Sequence, residues 1–215
     1  MALSPHVIGA GGFRRLLLAL VTSGFRPVIV SVSVLIVAAT AGCSSPPPLT
    51  INLNGAWTTR TVDHRQVSLA VPANWNIGQA WVMPSSFTDL VGSFSNEGLS
   101  PPCTTSANSV ECGPPLTLLQ PGGVLVEVFQ NGFPTWTINT QPGTATTVSR
   151  LAARVAIQTG GQGGCSGLGA DRTRTEVIAF PDAPDNYFEV DICSRGVADA
   201  VGTKVMGSVQ VTPTA

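Results

Sequence analysis

The chain has 215 residues, Lys+Arg 11 against Asp+Glu 12, a net charge of −1 and only 11% charged residues. So little charge leaves a surface of Ser, Thr, Gly, Pro, Asn and Gln, and without a basic block it excludes an electrostatic nucleic-acid binder. Gly 23 and Pro 17 favour short elements joined by turns, 43% hydrophobic residues suffice for a core, and two His, one Tyr and the lone Lys204 leave few groups for acid–base chemistry.

Residues 1–42 read as an export segment. Arg14, Arg15 and Arg26 supply positive charge, and the run Val28–Ala39 after Pro27 has the length and apolarity of a signal-peptide h-region. It ends in Thr40-Ala41-Gly42-Cys43, followed by Ser44-Ser45-Pro46-Pro47-Pro48. Small residues directly before a cysteine at the end of an h-region resemble the lipobox of bacterial lipoproteins. The resemblance implies a diacylglyceryl thioether on Cys43, which becomes the first mature residue, with palmitate among its acyl chains. A spanning helix needs roughly 20 apolar residues, and the triple proline interrupts this stretch. The expected organisation is a lipoprotein signal peptide over 1–42, a Pro-rich tether over 43–50 and a single globular domain over 51–215. The lipid then holds the domain on the outer, extracytoplasmic face of the cell membrane.

In the mature part, Gln66–Pro72 alternates with period two, placing Val67, Leu69 and Val71 on one face until Pro72 stops the strand. A core Trp75 follows. Asp89–Ser95 reads as a strand ahead of a proline- and cysteine-bearing loop, 96–115. Val124–Gln130, opened by Pro121-Gly122-Gly123 and closed by Asn131-Gly132, is the clearest strand, and its continuous apolar character suggests a central, doubly covered place. Leu151–Ile157 fits helix or strand, and its alternation favours strand. Thr173–Phe180 and Tyr187–Ser194 form an expected antiparallel pair, with Phe188, Val190 and Ile192 facing one way and Glu189 and Asp191 the other. Val197, Val201, Val205 and Val209 at i+4 spacing predict a C-terminal helix. Together these elements predict an α+β fold, an antiparallel sheet of about six strands with that helix packed on it.

Beyond Cys43 there are four cysteines, Cys103, Cys112, Cys165 and Cys193. An even number after an export signal reads as two disulfides in an oxidising compartment. Of three pairings, Cys103–Cys112 across a polar loop is favoured, which leaves Cys165–Cys193 joining a glycine-rich loop to a late strand. With no Cys-x-x-Cys and no histidine near a cysteine, no metal site is expected.

The stretch Val67-Ser68-Leu69-Ala70-Val71-Pro72-Ala73-Asn74-Trp75 resembles the strand–Pro–x–x–Trp opening of PsbP-like domains in secreted bacterial lipoproteins. The strand Tyr187-Phe188-Glu189-Val190, then a helix ending in Met206-Gly207-Ser208-Val209, is similar to the way those domains close. The resemblance covers the two ends of the domain and implies a binding or assembly module without catalysis.

The glycine-rich stretch 160–169 lacks the Gly-Lys-Ser/Thr of a phosphate loop and precedes a strand, so it reads as a flexible loop anchored by Cys165, and no cofactor is expected. Ser166 lacks the last glycine of a nucleophile elbow. The remaining constellation is Glu189 and Asp191 on one strand face, with Glu127 on a candidate neighbouring strand. Arg154 and Arg174 are matching cations, and Trp81 and Trp136 lie in loop-like contexts where a sugar could stack. Arg154, Arg174, Glu189, Asp191, Trp81 and Trp136 make up the candidate ligand face, and no catalytic set is assigned. The expectation is a lipid-anchored envelope protein that binds a partner protein or small ligand, with no nucleic acid. The alternative is a cell-wall polymer hydrolase using Glu127, Glu189 or Asp191 as paired carboxylates.

Overall fold

The structure is a computed structural model and describes residues 47–62, 66–81, 87–107, 109–180, 183, 185–197 and 199–212. The signal peptide and Cys43 expected from the sequence lie outside the described residues. Strands β1 (Trp57–Val62), β2 (Val67–Pro72), β3 (Asn76–Ile77), β4 (Thr88–Ser95), β5 (Cys103–Thr105) and β6 (Val110–Cys112) come first. Strands β7 (Val124–Gly132), β8 (Thr144–Val148), β9 (Leu151–Thr159), β10 (Arg172–Ala179) and β11 (Asn186–Ser194) follow. The chain closes with helix α1 (Asp199–Met206) and the short β12 (Gln210–Val211).

Seven strands form one antiparallel sheet in the order β3-β4-β7-β11-β10-β9-β8. β7 lies inside it between β4 and β11, and its residues Val124 to Val128 are all buried, as its unbroken apolar run requires. A second sheet, β1-β2-β12, has β2 at its centre. Val67, Leu69 and Val71 of β2 share one apolar cluster with Val126, Val190 and Ile192 of the large sheet and with Val201 and Val205 of α1. That cluster is the main core, and Trp75 belongs to it. The alternation of β11 therefore sends Phe188, Val190 and Ile192 into the core and Glu189 and Asp191 to the other face.

The α+β arrangement expected from the sequence is corrected by this architecture. Strands hold 47% of the described residues and helices 9%, which makes the fold mostly β. The helix expected over Val197–Val209 is confined to Asp199–Met206. Its last turn closes through the Gly207 amide donating to Thr203 O, and the chain then turns so that β12 can pair with β2. The i+4 valines still face the core, but Gly202 and Gly207 leave the helix too little intrinsic propensity to run further. Much of the covering expected of the helix is done by the second sheet.

Both favoured disulfides are present. Cys103–Cys112 ties β5 to β6, which form a small separate hairpin inside the stretch expected to be a loop. Cys165–Cys193 ties the glycine-rich loop to β11.

Candidate functional site

The face of the large sheet away from α1 carries Glu127, Glu189 and Asp191, whereas Glu176, opposite Val190, is on the α1 side near Met206. Strand register sets Ser93 beside Glu127, Glu127 beside Asp191, and Asp191 beside Thr175, so a polar row crosses four adjacent strands. Directly opposed residues of this kind hold their Cβ atoms about 4.5–5.5 Å apart. Glu189 follows on the same face of β11, opposite Phe129. The row separates two small apolar clusters. One contains Leu125, Leu168 and the Cys165–Cys193 pair, and the other contains Trp136, Val177 and Tyr187.

Glu127 is 2% exposed and Asp191 1%. Thr175 Oγ1 donates to Asp191 Oδ1 at 2.5 Å, and the Gly164 amide donates to Oδ2 at 3.3 Å. Asn131 Nδ2 donates to Glu189 Oε2 at 3.1 Å. Glu127 Oε2 has no hydrogen-bond partner, and neither does Ser93 Oγ beside it. Burial, reinforced by the charge of Asp191, pushes the Glu127 carboxyl up to about 8. Burial and Asp191 together also raise Glu189 to about 7, against the lowering effect of Asn131. Asp191 is raised by burial, opposed by its bonds from Thr175 and Gly164. The cluster is thus a set of carboxyl groups competing to keep their protons at neutral pH.

The glycine-rich loop lies over this row. The Gln162 amide donates to Thr173 Oγ1 at 3.0 Å, and Thr173 Oγ1 donates to Gly160 O at 2.8 Å. A Cβ at position 164 would lie 2.8 Å from Asp191 Oδ2 and 3.5 Å from Glu127 Oε2, so only glycine lets the backbone come this close to the acids. The loop expected to be flexible is therefore bonded to the sheet at both its backbone and its disulfide.

Beside the loop is a cavity of about 310 Å³ whose lining includes Phe129, Phe133, Tyr187, Asn131, Glu189 and Asp191. Phe133 and Tyr187 of its lining belong to a longer aromatic ladder. Phe87 and Phe133 are 5.5 Å apart between ring centres, Phe133 and Tyr187 6.3 Å, and Tyr187 and Trp136 4.3 Å in a stacked pair. Phe87 is 60% exposed and Phe133 38%, whereas Tyr187 and Trp136 are buried, so the ladder runs from solvent into the protein.

Of the six residues of the expected ligand face, Glu189 and Asp191 meet in this cavity, and Trp136 backs it through Tyr187. Arg154 lies on the same face as Glu189 but two strands away, across Val177, where its Nη2 donates to Gly143 O at 2.6 Å. Arg174 is on the opposite face, beside Ile192 and beneath Gly202 of α1. Trp81 is half-buried, bridged to Leu90 through its amide, and does not line the cavity. Phe129, Phe133, Tyr187, Asn131, Thr175 and Gly164 were not foreseen at this site. Parity in β7 already puts Phe129 on the face of Glu127, but the approach of Phe133 and Gly164 depends on turns that no local pattern announces.

Among the described residues, no three carboxyl, thiol or imidazole groups converge to hold a metal ion, and no helix is long and apolar enough to cross a membrane. No family model and no curated protein matches the chain. A solved structure from Bacteroides thetaiotaomicron VPI-5482 aligns with it at 10% identity and a TM-score of 0.33, covering 74% of this chain and 48% of that one. The chain thus spans about half the length of that structure.

Proposed function

We propose that this protein is a non-catalytic binding module of the cell envelope, anchored by a lipid on Cys43 to the outer face of the membrane. The observation that carries the binding role is the cavity in which Glu189 and Asp191 meet the rings of Phe129, Phe133 and Tyr187. A concave, mostly preformed pocket with aromatic walls and a few convergent polar groups is what small-molecule sites are made of. The anchor rests on the lipobox-like sequence ending at Cys43, and the oxidising compartment on the two disulfides.

Native mass spectrometry of the protein extracted from its own membranes in mild detergent tests the binding role. A reproducible non-covalent mass beyond the lipid is expected, and a bare lipidated monomer counts against it. Radiolabelled palmitate tests the anchor: Cys43→Ala loses the label, and continued labelling refutes the lipoprotein reading.

A polymer hydrolase is the second reading, favoured by the direct opposition of Glu127 and Asp191, one of them held protonated at neutral pH. Their burial beneath the glycine-rich loop opposes it, because a polymer has no path to either carboxyl while the loop is bonded down. Release of soluble sugar from purified cell wall by the wild type, lost in Glu127→Gln, would decide for the enzyme.

A further inference from the structure

The lipid-anchor reading leaves open which way the domain faces, and the docking of the tether narrows it. Resting on that reading, we propose that the end of the large sheet where β7 begins and β11 ends, which carries the exposed Leu49 and Leu118, rests on the lipid surface. The cavity beside Phe133 then opens at the far end.

The first reason is that the tether is not free along its whole length. The Leu49 amide donates to Pro121 O at 2.8 Å, and a Cβ on Gly122 would collide with Leu49 O, so the chain is pressed onto the domain at residue 49. The Gly122 amide in turn donates to Arg195 O at 2.7 Å, just past the end of β11. Leu49 follows Cys43 by six residues, which reach at most about 22 Å when fully extended. A lipid on Cys43 therefore keeps this end of the sheet close to the headgroups.

The second reason is the surface at this end, which is independent of the tether's length. Leu118 is 48% exposed and Leu49 38%. Leu118 and the Arg195 guanidinium both border Gly169, and Arg195 Nη1 donates to Leu119 O at 2.7 Å. Leucines with an arginine beside them suit the boundary between headgroups and acyl chains, where the apolar groups enter and the guanidinium meets phosphate oxygens. The carboxylates nearby each have an oxygen matched by the backbone. Glu97 Oε1 accepts the Gln120 amide at 2.9 Å, and Asp171 Oδ2 accepts the Gly196 amide at 2.6 Å.

The third reason excludes the opposite stance. The exposed rings of Phe87 and Phe133 lie where β7 ends, since the Gly132 amide donates to Phe87 O at 2.8 Å and Phe133 follows directly. The nine residues of β7 set that end about 27 Å from Val124. A domain standing on those rings would lift Leu49 beyond the reach of Cys43. The tether thus forbids the inverted stance, and the leucines favour standing on their end over lying on a sheet face. Phe133 and the cavity it borders are then turned away from the bilayer, toward ligands arriving from outside.

The test uses the membrane-extracted chain in vesicles of phosphatidylethanolamine and phosphatidylglycerol, with doxyl-labelled phosphatidylcholine as quencher. A fluorophore is placed on one added thiol, Thr117→Cys beside Leu118 or Phe87→Cys at the far end, both exposed positions, while the four cysteines of the domain are held in disulfides. The label at position 117 should lose about half its fluorescence or more to the quencher, and the label at position 87 should keep about nine-tenths. Adding Leu118→Asp should reduce the quenching at position 117 while the protein still floats with the vesicles, and unchanged quenching overturns the leucine contact. Quenching at neither position in floating protein overturns the inference in favour of a domain held off the bilayer or one whose leucine end docks on a partner protein. Quenching at both means that the domain lies on its side, and quenching at position 87 alone means that it is inverted, and either result overturns the inference. A chain that takes up no palmitate and does not float refutes the anchor reading itself, and this inference falls with it.

Discussion

Glu127→Gln is expected to stabilise the protein at alkaline pH and to leave it unchanged in acid. The Glu127 carboxyl lies under the glycine-rich loop with an unmatched Oε2 and a pKa of about 8, against an ordinary 4.5. Between these two values the folded state keeps a proton that the unfolded chain has released. Its contribution to stability is therefore full below about pH 4.5 and is lost as the pH rises through 8. At about 1.4 kcal/mol per pKa unit, the loss across that interval is about 4 kcal/mol for this one group. Burial raises Glu176 and Glu189 to about 7, and they act with the same sign over a narrower window. Glutamine mimics the protonated acid and does not titrate, so the variant should match the wild type near pH 4.5 and exceed it by up to about 4 kcal/mol at pH 8. Urea unfolding followed by tryptophan fluorescence at pH 4.5, 6, 7 and 8 measures both curves. Parallel curves across the range, or a variant less stable than wild type at pH 8, would refute the account of the buried acid row.

Three other outcomes follow from particular contacts. Gly164→Ala places a Cβ against Asp191 and should cost about 1–3 kcal/mol in chemical unfolding, whereas Gly98→Ala, with nothing nearby, stays within about 0.5 kcal/mol. Equal losses would mean that the loop does not press on the acids. Replacing both Cys165 and Cys193 by serine should lower stability more than the same change at Cys103 and Cys112, by about 1 kcal/mol on loop length alone, since the separations are 28 and 9 residues. The reverse order in denaturant melts would contradict that account. Ser149 and Arg150 join β8 to β9 with φ of 50° and 71°, a turn that favours Asn-Gly. Ser149 also accepts the Val211 amide at 3.0 Å. Arg150→Gly should therefore gain about 0.5–1 kcal/mol in the same melts by relieving the left-handed strain, and a loss would show that the Arg150 side chain matters more than its backbone.

Much of the large sheet was legible because its strands announce themselves twice, by alternation and by the turns that bound them. β4, β7, β9, β10 and β11 of the large sheet, and β2 of the second, fall where apolar patterning, continuous in β7, and Gly or Pro punctuation put them. β1, with the sequence WTTRTV, and β8, with TATTV, carry little apolar signal, and they are edge strands half open to solvent. With these two strands silent in the sequence, the second sheet that shares the core with the large one is not legible, and the pattern reads as α+β rather than mostly β. Cysteine spacing pointed to both disulfides because the polar loop 104–111 suits a short closure, and pairing its two ends left one partner for Cys165.

The candidate site divides along the same line. Sequence alone determined that Glu189 and Asp191 share a face, since residues two apart on a strand point the same way whatever surrounds them. The tertiary structure decided that Glu127 is their neighbour, because strand register is set between strands far apart in the chain. It also decided that Arg174 lies on the far side beneath α1, and that Arg154 is turned to Gly143. Among the described residues, what keeps basic side chains out of the cavity lining is therefore the pairing order β7-β11-β10-β9 together with the loop that a disulfide draws over the acids. Local periodicity orients side chains within a strand, but only the long-range closure of the sheet brings charges, rings and a glycine backbone to one place.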